Sequence, residues 1–251
     1  VESAYYVYVN GKEVGYSEDS FRPHEFDITD YLNPKGEENL LAVKVHKFSE
    51  NTWTEDQDML YDGGIFRDVF IYSVPVAQMV DYKVETHLKD NYTNADLKLD
   101  VSLKNHSTSQ FANLAVDVAL YDENDSNILA ANAFTLDVPA LAAGAQEGVS
   151  GTKHIEAPKL WSAEHPNLYT LVLTLYDKQS GQYYGSISQM LGFRDIDFTK
   201  TEVGADYRRT TTTYDAMTIN GQPFYCKGTN RPDRDPCKAK EGSHKGYEAS
   251  R

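Results

Sequence analysis

The sequence predicts an all-β protein, and three observations support this fold class. Apolar and polar residues alternate along several runs, for example at residues 97–103, and a period of two is typical of half-buried strands. Asn10-Gly11 follows the alternating run at residues 5–9, and this dipeptide favours a tight hairpin turn because both residues tolerate a positive φ. The third observation is that no long segment has the 3.6-residue period of an amphipathic helix.

The predicted strands follow one another along the chain with turn residues between them. Apolar residues alternate at 41–45, 97–103, 116–120 and 169–175, and residues 69–72 predict a strand that Pro75 closes. Residues 76–198 have the length of one immunoglobulin-like sandwich, which takes about 100 residues. Residues 1–75 hold fewer strands than a closed sandwich needs. Residues 219–225 predict another tight hairpin, centred on Asn220-Gly221.

Composition and charge exclude several classes of function. The 251 residues include 38 Asp and Glu against 24 Lys and Arg, and the resulting net charge of −14 argues against nucleic acid or an anionic membrane as the main partner. The two cysteines, Cys226 and Cys237, have no metal-binding spacing, and no apolar run is long enough to span a membrane. Val1 leads directly into a strand rather than a signal peptide, so we expect a cytoplasmic protein whose chain starts before Val1.

The densest group of acidic residues is Glu-Asp-Gln-Asp at residues 55–58, shortly before two glycines. Carboxylates this close repel one another unless a cation, a hydrogen-bonding ligand or water surrounds them. In an extended loop Asp56 and Asp58 point the same way, so one of them could accept hydrogen bonds from sugar hydroxyls or bind a hard cation. A solvated acidic loop without a site is the alternative. A second oxygen-rich stretch, at residues 122–127, is predicted to be a solvated hairpin turn.

Several motifs resemble one known family. Residues 55–59 (EDQDM), followed by residues 64–69 (GIFRDV), resemble the sugar-binding domain of bacterial β-galactosidases of glycoside hydrolase family 2. Further stretches resemble the rest of the family's plan in the right order. The same domain is resembled by residues 10–17 and 23–28, and the family's immunoglobulin-like second domain by residues 157–162, 166–169 and 192–194. The entry to the family's barrel is resembled by residues 219–223 and 227–231. The resemblance covers nearly the whole chain to about Pro236.

The resemblance implies a domain order. Residues 1–75 would be the C-terminal part of a jelly-roll sugar-binding domain, galactose-binding-like in fold. Residues 76–198 would be an immunoglobulin-like β-sandwich, and residues 199–251 a hairpin and the truncated start of a (β/α)8 catalytic barrel. A jelly roll without its early strands exposes unpaired strand edges. We therefore expect residues 1–75 to pack against the second domain or to pair with another chain.

The resemblance also implies a reaction, the hydrolysis of terminal β-D-galactosides with retention. That chemistry needs two carboxylic acids about 5–5.5 Å apart, and in the family both are glutamates on late barrel strands. A barrel takes about 250 residues, and far fewer follow Arg231. We therefore assign no catalytic residue to this chain and expect it to be inactive by itself.

Three residues match the family's substrate pocket. Asp58, the last acid of the EDQDM motif, matches an aspartate that helps to hold the galactosyl 6-hydroxyl and a sodium ion, so it is the predicted substrate and metal ligand. Asn230 and Arg231 match the rim of the pocket and are the other predicted substrate-binding residues. The family usually continues with a histidine that contacts sugar, whereas this chain has Pro232. The implied cofactors of the intact enzyme are Na⁺ and Mg²⁺, with none in this region alone.

The implied partner of the intact enzyme is a galactoside, with a homo-oligomer as a candidate assembly and neither nucleic acid nor membrane. Two other functions stay open. A β-glucuronidase shares the three-domain plan, although the EDQDM and GIFRDV motifs favour a galactosidase. A freestanding carbohydrate-binding β-sandwich module is the other, although residues 227–231 argue against it because a module has no use for the first strand of a barrel.

Overall fold

The computed structural model describes residues 1–54, 63–197, 217–224 and 228, and it confirms the all-β prediction. Within these residues the secondary structure consists of antiparallel strands and two short 3₁₀ segments, Thr29–Tyr31 and Glu50–Trp53. The described chain divides into two compact units, residues 1–54, 63–72 and 228, and residues 73–197 with 217–224. No helix in the part of the chain that the structure describes is long and apolar enough to cross a membrane.

The first unit contains a three-stranded antiparallel sheet with β1 in its centre. The strands are β1 (Ala4–Val9), β2 (Lys12–Ser17) and β3 (Leu41–His46). Neighbouring side chains of a strand point to opposite faces. The alternation that predicts β1 therefore also sorts its side chains, because Tyr5, Val7 and Val9 are buried while the residues between them are partly exposed.

Asn10-Gly11 forms the predicted turn between β1 and β2. The two residues have φ values of 52° and 77°, as a type I′ turn requires. The Asn10 side chain also binds the connection between β2 and β3. Its Nδ2 donates to the carbonyl of Tyr31 at 2.9 Å, and its Oδ1 accepts from the backbone N–H of Leu40 at 2.9 Å. Asn10 thus forms part of the turn and also hydrogen-bonds to the segment that connects β2 and β3.

The strand predicted at residues 69–72 is wrong. These residues form no strand, and Phe70 and Ile71 are 75% and 68% exposed. The aromatic and β-branched composition that predicts a strand reflects packing on a neighbouring strand more than an intrinsic preference of the backbone. No described strand pairs with residues 69–72. Strand-like composition without a partner strand is therefore not sufficient to form a strand here.

The second unit is a sandwich of two antiparallel sheets, and the predicted runs at 97–103, 116–120 and 169–175 lie in its strands. One sheet has the order β4-β5-β8, with β4 (Ala77–Lys89), β5 (Asn94–Asn105) and β8 (Gln146–Ile155). The other has the order β10-β9-β6-β7, with β6 (Leu114–Tyr121), β7 (Phe134–Asp137), β9 (Tyr169–Asp177) and β10 (Tyr183–Leu191). Seven strands in sheets of three and four are the arrangement of an immunoglobulin-like sandwich.

Apolar side chains from both sheets form one continuous core. The central strands β5, β6 and β9 each contribute every second residue to it. Fully burying such a side chain contributes about 1.5–3 kcal/mol, so these strands supply much of the stability of the unit. The contributing residues are Ala95, Leu97, Leu99, Val101, Leu103, Leu114, Val116, Val118, Leu120, Tyr169, Leu171, Leu173 and Leu175.

Asn105, the last residue of β5, is buried and links the strand end to two neighbouring segments. Its Nδ2 donates to the carbonyls of Ser109, Leu141 and Ala142 at 2.7, 3.1 and 3.0 Å. Its Oδ1 accepts from the backbone N–H of Ser107 at 2.8 Å. A buried polar group is tolerated when it is hydrogen-bonded in this way.

Replacing Asn105 with alanine is therefore expected to lower the free energy of unfolding by about 1–3 kcal/mol, because buried carbonyls lose their donor. Urea unfolding followed by circular dichroism measures the change. The matched control is Asn113→Ala, which removes an amide that pairs with Gln179 Oε1 at the surface. This control should change stability by no more than about 0.5 kcal/mol. Equal effects of the two substitutions would contradict the role of Asn105.

The hairpin predicted around Asn220-Gly221 is present. β12 (Thr218–Ile219) and β13 (Gln222–Pro223) flank the turn, and β11 (Ile196–Asp197) pairs with β12. The Asn220 side chain fastens the hairpin, because its Oδ1 accepts from the backbone N–H of Asp195 at 2.9 Å and its Nδ2 donates to the carbonyl of Trp161 at 3.0 Å. The predicted first barrel strand at residues 227–231 lies outside the described residues, apart from Gly228.

The motif Gly192-Phe193-Arg194 directly follows β10, the last strand of the sandwich. The ladder between β9 and β10 ends at the pair Tyr169–Leu191. Phe193 then makes a single parallel bridge to Leu160, and the Arg194 guanidinium lies 4.6 Å from the centre of the Trp161 ring. A Cβ at position 192 would meet the Trp161 Cβ at 2.9 Å. Glycine is therefore needed because the chain passes so close to this tryptophan.

Candidate functional site

The three predicted substrate residues, Asp58, Asn230 and Arg231, lie outside the described residues. The structure does describe both flanks of the acidic segment that contains Asp58. One flank ends at Thr54 and the other begins at Gly63, and both belong to the first unit. These flanks are the part of the candidate site whose geometry the structure defines.

The N-terminal flank is the 3₁₀ segment Glu50–Trp53, which begins with a capping box. Ser49 is the N-cap, and Thr52 returns the hydrogen bond, because its Oγ1 accepts from the backbone N–H of Ser49 at 2.8 Å. Such reciprocal bonds satisfy backbone donors that would otherwise lack a partner at the start of a helix. The segment closes on Thr54, whose backbone N–H donates to the Asn51 carbonyl at 2.9 Å.

The C-terminal flank is the glycine pair at 63 and 64, which is bound to Glu2. The backbones of Glu2 and Gly64 exchange two hydrogen bonds, of 2.9 Å and 3.0 Å. The backbone N–H of Gly63 also donates to the Glu2 carboxylate at 3.4 Å. Both glycines have positive φ, 70° and 91°, a conformation that side chains disfavour. Glycine at these two positions is therefore required by the path of the chain.

The two flanks meet at neighbouring residues. Ser3 follows Glu2, and its Oγ lies 2.6 Å from Ser49 Oγ and 3.0 Å from Thr52 Oγ1. Its backbone N–H donates to the carbonyl of His46 at 3.0 Å. Glu2 and Ser3 are only 3% and 1% exposed. We call Glu2, Ser3, Ser49 and Thr52 the anchor cluster; it binds both ends of the segment that carries Asp58.

The anchor cluster was not predicted from the sequence. The spacing of Ser49 and Thr52 is a recognisable signal, since serine or threonine at an N-cap often bonds to the residue three positions later. Glu2 and Ser3 give no local signal, because the partners described above lie 43 or more residues away along the chain. Contacts at this sequence distance follow from the path of the chain between them.

Two further side chains, those of Trp53 and His46, lie close to the anchor cluster along the chain. Trp53, the last residue of the 3₁₀ segment, is 87% exposed, so its indole is in solvent beside the start of the acidic segment. His46 packs edge-on against Tyr6 with ring centres 5.7 Å apart. The Nε2 of His46 is buried and has no hydrogen-bond partner among the described residues.

The second oxygen-rich stretch, residues 122–127, is a turn that satisfies its own polar groups. Asp122 Oδ1 accepts from the backbone N–H groups of Asn124 and Ser126 at 2.9 and 3.0 Å. These bonds, led by that from Ser126, lower the pKa of the Asp122 carboxyl. In the ranges that the structure covers, no group of three or more His, Cys, Asp or Glu could hold a metal ion. Residues 123–126 are exposed, so this stretch is a solvated turn, as predicted.

Two family models match consecutive parts of the chain. The sugar binding domain of glycosyl hydrolases family 2 matches residues 1–75, and a second model described as glycosyl hydrolases family 2 matches residues 77–194. The chain belongs to glycosyl hydrolase family 2. The recognition that the motifs support is therefore confirmed.

Curated relatives of this family 2 chain are named β-galactosidases. That of Priestia megaterium is 40% identical over 242 residues, which are 96% of this chain and 21% of the relative. That of Clostridium acetobutylicum is 40% identical over 199 residues, 78% of this chain and 20% of the relative. The large subunit from Lactobacillus acidophilus is 35% identical over 234 residues, 92% of this chain and 32% of the relative. The chain thus spans about a fifth to a third of their length.

Solved structures share the fold at lower identity. A β-glucuronidase from Bacteroides uniformis superimposes with a TM-score of 0.82 and 21% identity, over 99% of this chain and 28% of that one. A putative β-galactosidase from Bacteroides fragilis gives a TM-score of 0.71 and 20% identity, over 89% of this chain and 32% of that one. At these identities the similarity establishes the fold alone.

Proposed function

We propose that this family 2 chain is a non-catalytic region of a β-galactosidase that hydrolyses terminal β-D-galactosides with retention. The observation that supports this most strongly is the 40% identity to a β-galactosidase over 96% of the chain. Retaining hydrolysis requires two carboxylic acids about 5–5.5 Å apart. We assign neither acid to residues 1–251, so the proposed contribution of this region is to substrate binding.

We propose that Asp58 binds the galactosyl 6-hydroxyl and a sodium ion, with Asn230 and Arg231 at the rim of the pocket. A carboxylate accepts hydrogen bonds from hydroxyls and is a ligand of the kind that hard cations prefer. The described residues offer no cluster of three or more metal-ligating side chains. Mg²⁺ belongs to the proposal for the intact enzyme, and we assign it no ligand in this chain.

The first alternative is a β-glucuronidase. Solved β-glucuronidases have the same fold, but they are only about 21% identical to this chain. The β-galactosidases reach 40%, so sequence similarity favours galactose. The second alternative is a freestanding carbohydrate-binding module. The relatives make it less favoured, because most of the length of these β-galactosidases lies outside the region that matches this chain.

The test compares two substrates and two polypeptides. Two polypeptides are purified from a host without β-galactosidase: the protein as encoded, with any sequence beyond residues 1–251, and residues 1–251 alone. Each is assayed with nitrophenyl β-D-galactoside and with nitrophenyl β-D-glucuronide. Turnover of the galactoside by the encoded protein only is the expected result. Preference for the glucuronide would favour the first alternative, and sugar binding without turnover would favour the second. Turnover by residues 1–251 alone would contradict the proposal that neither catalytic acid lies in this region.

A further inference from the structure

One face of the sheet in the first unit carries three tyrosine side chains. Tyr6 and Tyr8 lie on β1, on the side opposite its buried residues, and Tyr16 pairs with Tyr6 from β2. We propose that these tyrosines, with Glu13 and Glu18 beside them, form a surface that binds a neutral polysaccharide. We call these five residues the tyrosine face. The inference goes beyond the proposed hydrolysis, because binding at this surface needs no catalytic acid.

The three aromatic rings lie side by side. The ring centre of Tyr6 is 4.6 Å from that of Tyr16 and 6.4 Å from that of Tyr8, and the ring planes are inclined by 43° and 31°. Rings at these angles form a shallow platform instead of enclosing a ligand from several sides. The C–H groups of a pyranose ring can pack on such a platform, since the contact removes apolar area of both partners from water.

Two carboxylates lie at the edge of the platform. The Tyr8 hydroxyl donates to Glu13 Oε2 at 3.4 Å, and the Tyr16 hydroxyl donates to Glu18 Oε1. The bond to Glu18 raises the pKa of Tyr16 to about 12, so this ring stays neutral. Both bonds restrict the rings before a ligand arrives, which lowers the entropy that binding must remove. Each carboxylate keeps lone pairs that can accept from sugar hydroxyls.

A β-bulge brings Glu13 to this face. The pairing of β1 with β2 shifts after Val7, which pairs with Gly15, so that the next residue, Tyr8, pairs with Glu13. In a regular ladder Val14 would lie opposite Tyr8. The bulge therefore places a carboxylate beside this ring where a regular ladder would place a β-branched side chain.

The charge and the size of the surface favour a polysaccharide over other partners. The acids of the tyrosine face and the net charge of −14 disfavour an anionic ligand. An aromatic side chain buries about 150–250 Å², so three tyrosines fall short of the about 800 Å² per partner that a stable protein interface takes. Lys44 pairs with Tyr6 from β3 and is exposed. One donor thus joins the two acceptors around the rings, as a ligand rich in hydroxyls requires.

The first measurement is native electrophoresis of the protein as encoded through gels that contain β-1,4-galactan or hydroxyethylcellulose. We expect at least one of these neutral polymers to retard the wild-type protein. Tyr16→Ala should weaken the binding about two- to tenfold, the scale of one aromatic contact, whereas Tyr16→Phe keeps the ring and should bind like the wild type. The matched control is Tyr183→Ala, because Tyr183 is a tyrosine of the second unit that is 58% exposed. This control should not change the binding.

A second variant keeps the test decisive. Tyr6→Ala removes the central ring and should weaken the binding at least as much as Tyr16→Ala, and circular dichroism shows whether each variant is folded. A wild-type protein that neither polymer retards would overturn the proposal, as would folded Tyr16→Ala and Tyr6→Ala proteins that bind like the wild type. Sedimentation provides a further check, because a dimer that Tyr16→Ala dissociates would assign this surface to a second copy of the chain instead.

Kinetics with nitrophenyl β-D-galactoside separate this inference from the proposed function. Tyr16→Ala should leave kcat and KM unchanged, since no residue of the tyrosine face is assigned to catalysis or to the galactosyl pocket. A wild-type protein that hydrolyses no galactoside but is retarded through Tyr16 would overturn the proposed function and support the tyrosine face. Hydrolysis without retardation would do the opposite.

Discussion

Replacing Asp58 with asparagine in the protein as encoded is expected to lower kcat/KM for nitrophenyl β-D-galactoside by about 10- to 150-fold. The estimate follows from the proposed role of Asp58, since a hydrogen bond to a charged group contributes about 1.5–3 kcal/mol. Asparagine preserves size but removes the charge, so the substitution should also abolish the stimulation by sodium. Steady-state kinetics with and without NaCl, at constant ionic strength set by a larger cation, measures both effects.

The matched control for Asp58→Asn is Asp125→Asn. Asp125 lies in the solvated turn of the second unit with a φ of 58°, a conformation that asparagine also adopts readily. The same change of charge should therefore leave kcat/KM and the sodium response unaltered. If Asp58→Asn behaves like this control while the wild-type protein is active, Asp58 has no role in binding and another carboxylate must be sought.

Replacing Phe193 with alanine is expected to lower the free energy of unfolding by about 3–5 kcal/mol, the range for a buried phenylalanine. Phe193 is 0% exposed and packs edge-on against Tyr169 with ring centres 5.2 Å apart. Its carbonyl also accepts from the backbone N–H of Trp161 at 2.9 Å. A loss of this size is a large share of the usual 5–15 kcal/mol of a folded domain. Urea unfolding followed by circular dichroism provides the measurement.

Met190→Ala is the matched control for Phe193→Ala. Met190 lies three residues earlier and is 57% exposed, so its removal should cost no more than about 0.5 kcal/mol. Trp161 fluorescence would report the same transition from within the second unit. A loss below about 1 kcal/mol for Phe193→Ala would show that the sandwich does not depend on this contact.

Local patterns were sufficient to predict most strands of the sandwich. The runs in β5, β6 and β9 alternate regularly because one face of each strand is buried and the other is wet. The turns at Asn10-Gly11 and Asn220-Gly221 were also predictable, since the dipeptide itself favours positive φ. Residues 69–72 show the limit of such patterns, because a strand also needs a partner that composition does not name.

The family could be recognised from short motifs because they occur in the correct order along the chain, and the comparisons confirm that recognition. The roles of Asp58, Asn230 and Arg231 remain predictions from that resemblance. The anchor cluster, by contrast, could not be predicted. Only Ser49 and Thr52 belong to a local motif, and nothing near Glu2 or Ser3 in the sequence indicates their partners.

The all-β class and the two hairpin turns could be predicted because each depends on residues that are close together along the chain, and the family because its short motifs occur in order. The contacts of Ser3 with Ser49 and of Glu2 with Gly64 are seen only in the folded chain. The physical reason is that hydrogen-bond partners separated by more than 45 residues are selected by the pairing of β1 with β3 and the path of the intervening chain. That path follows from the packing of the whole unit.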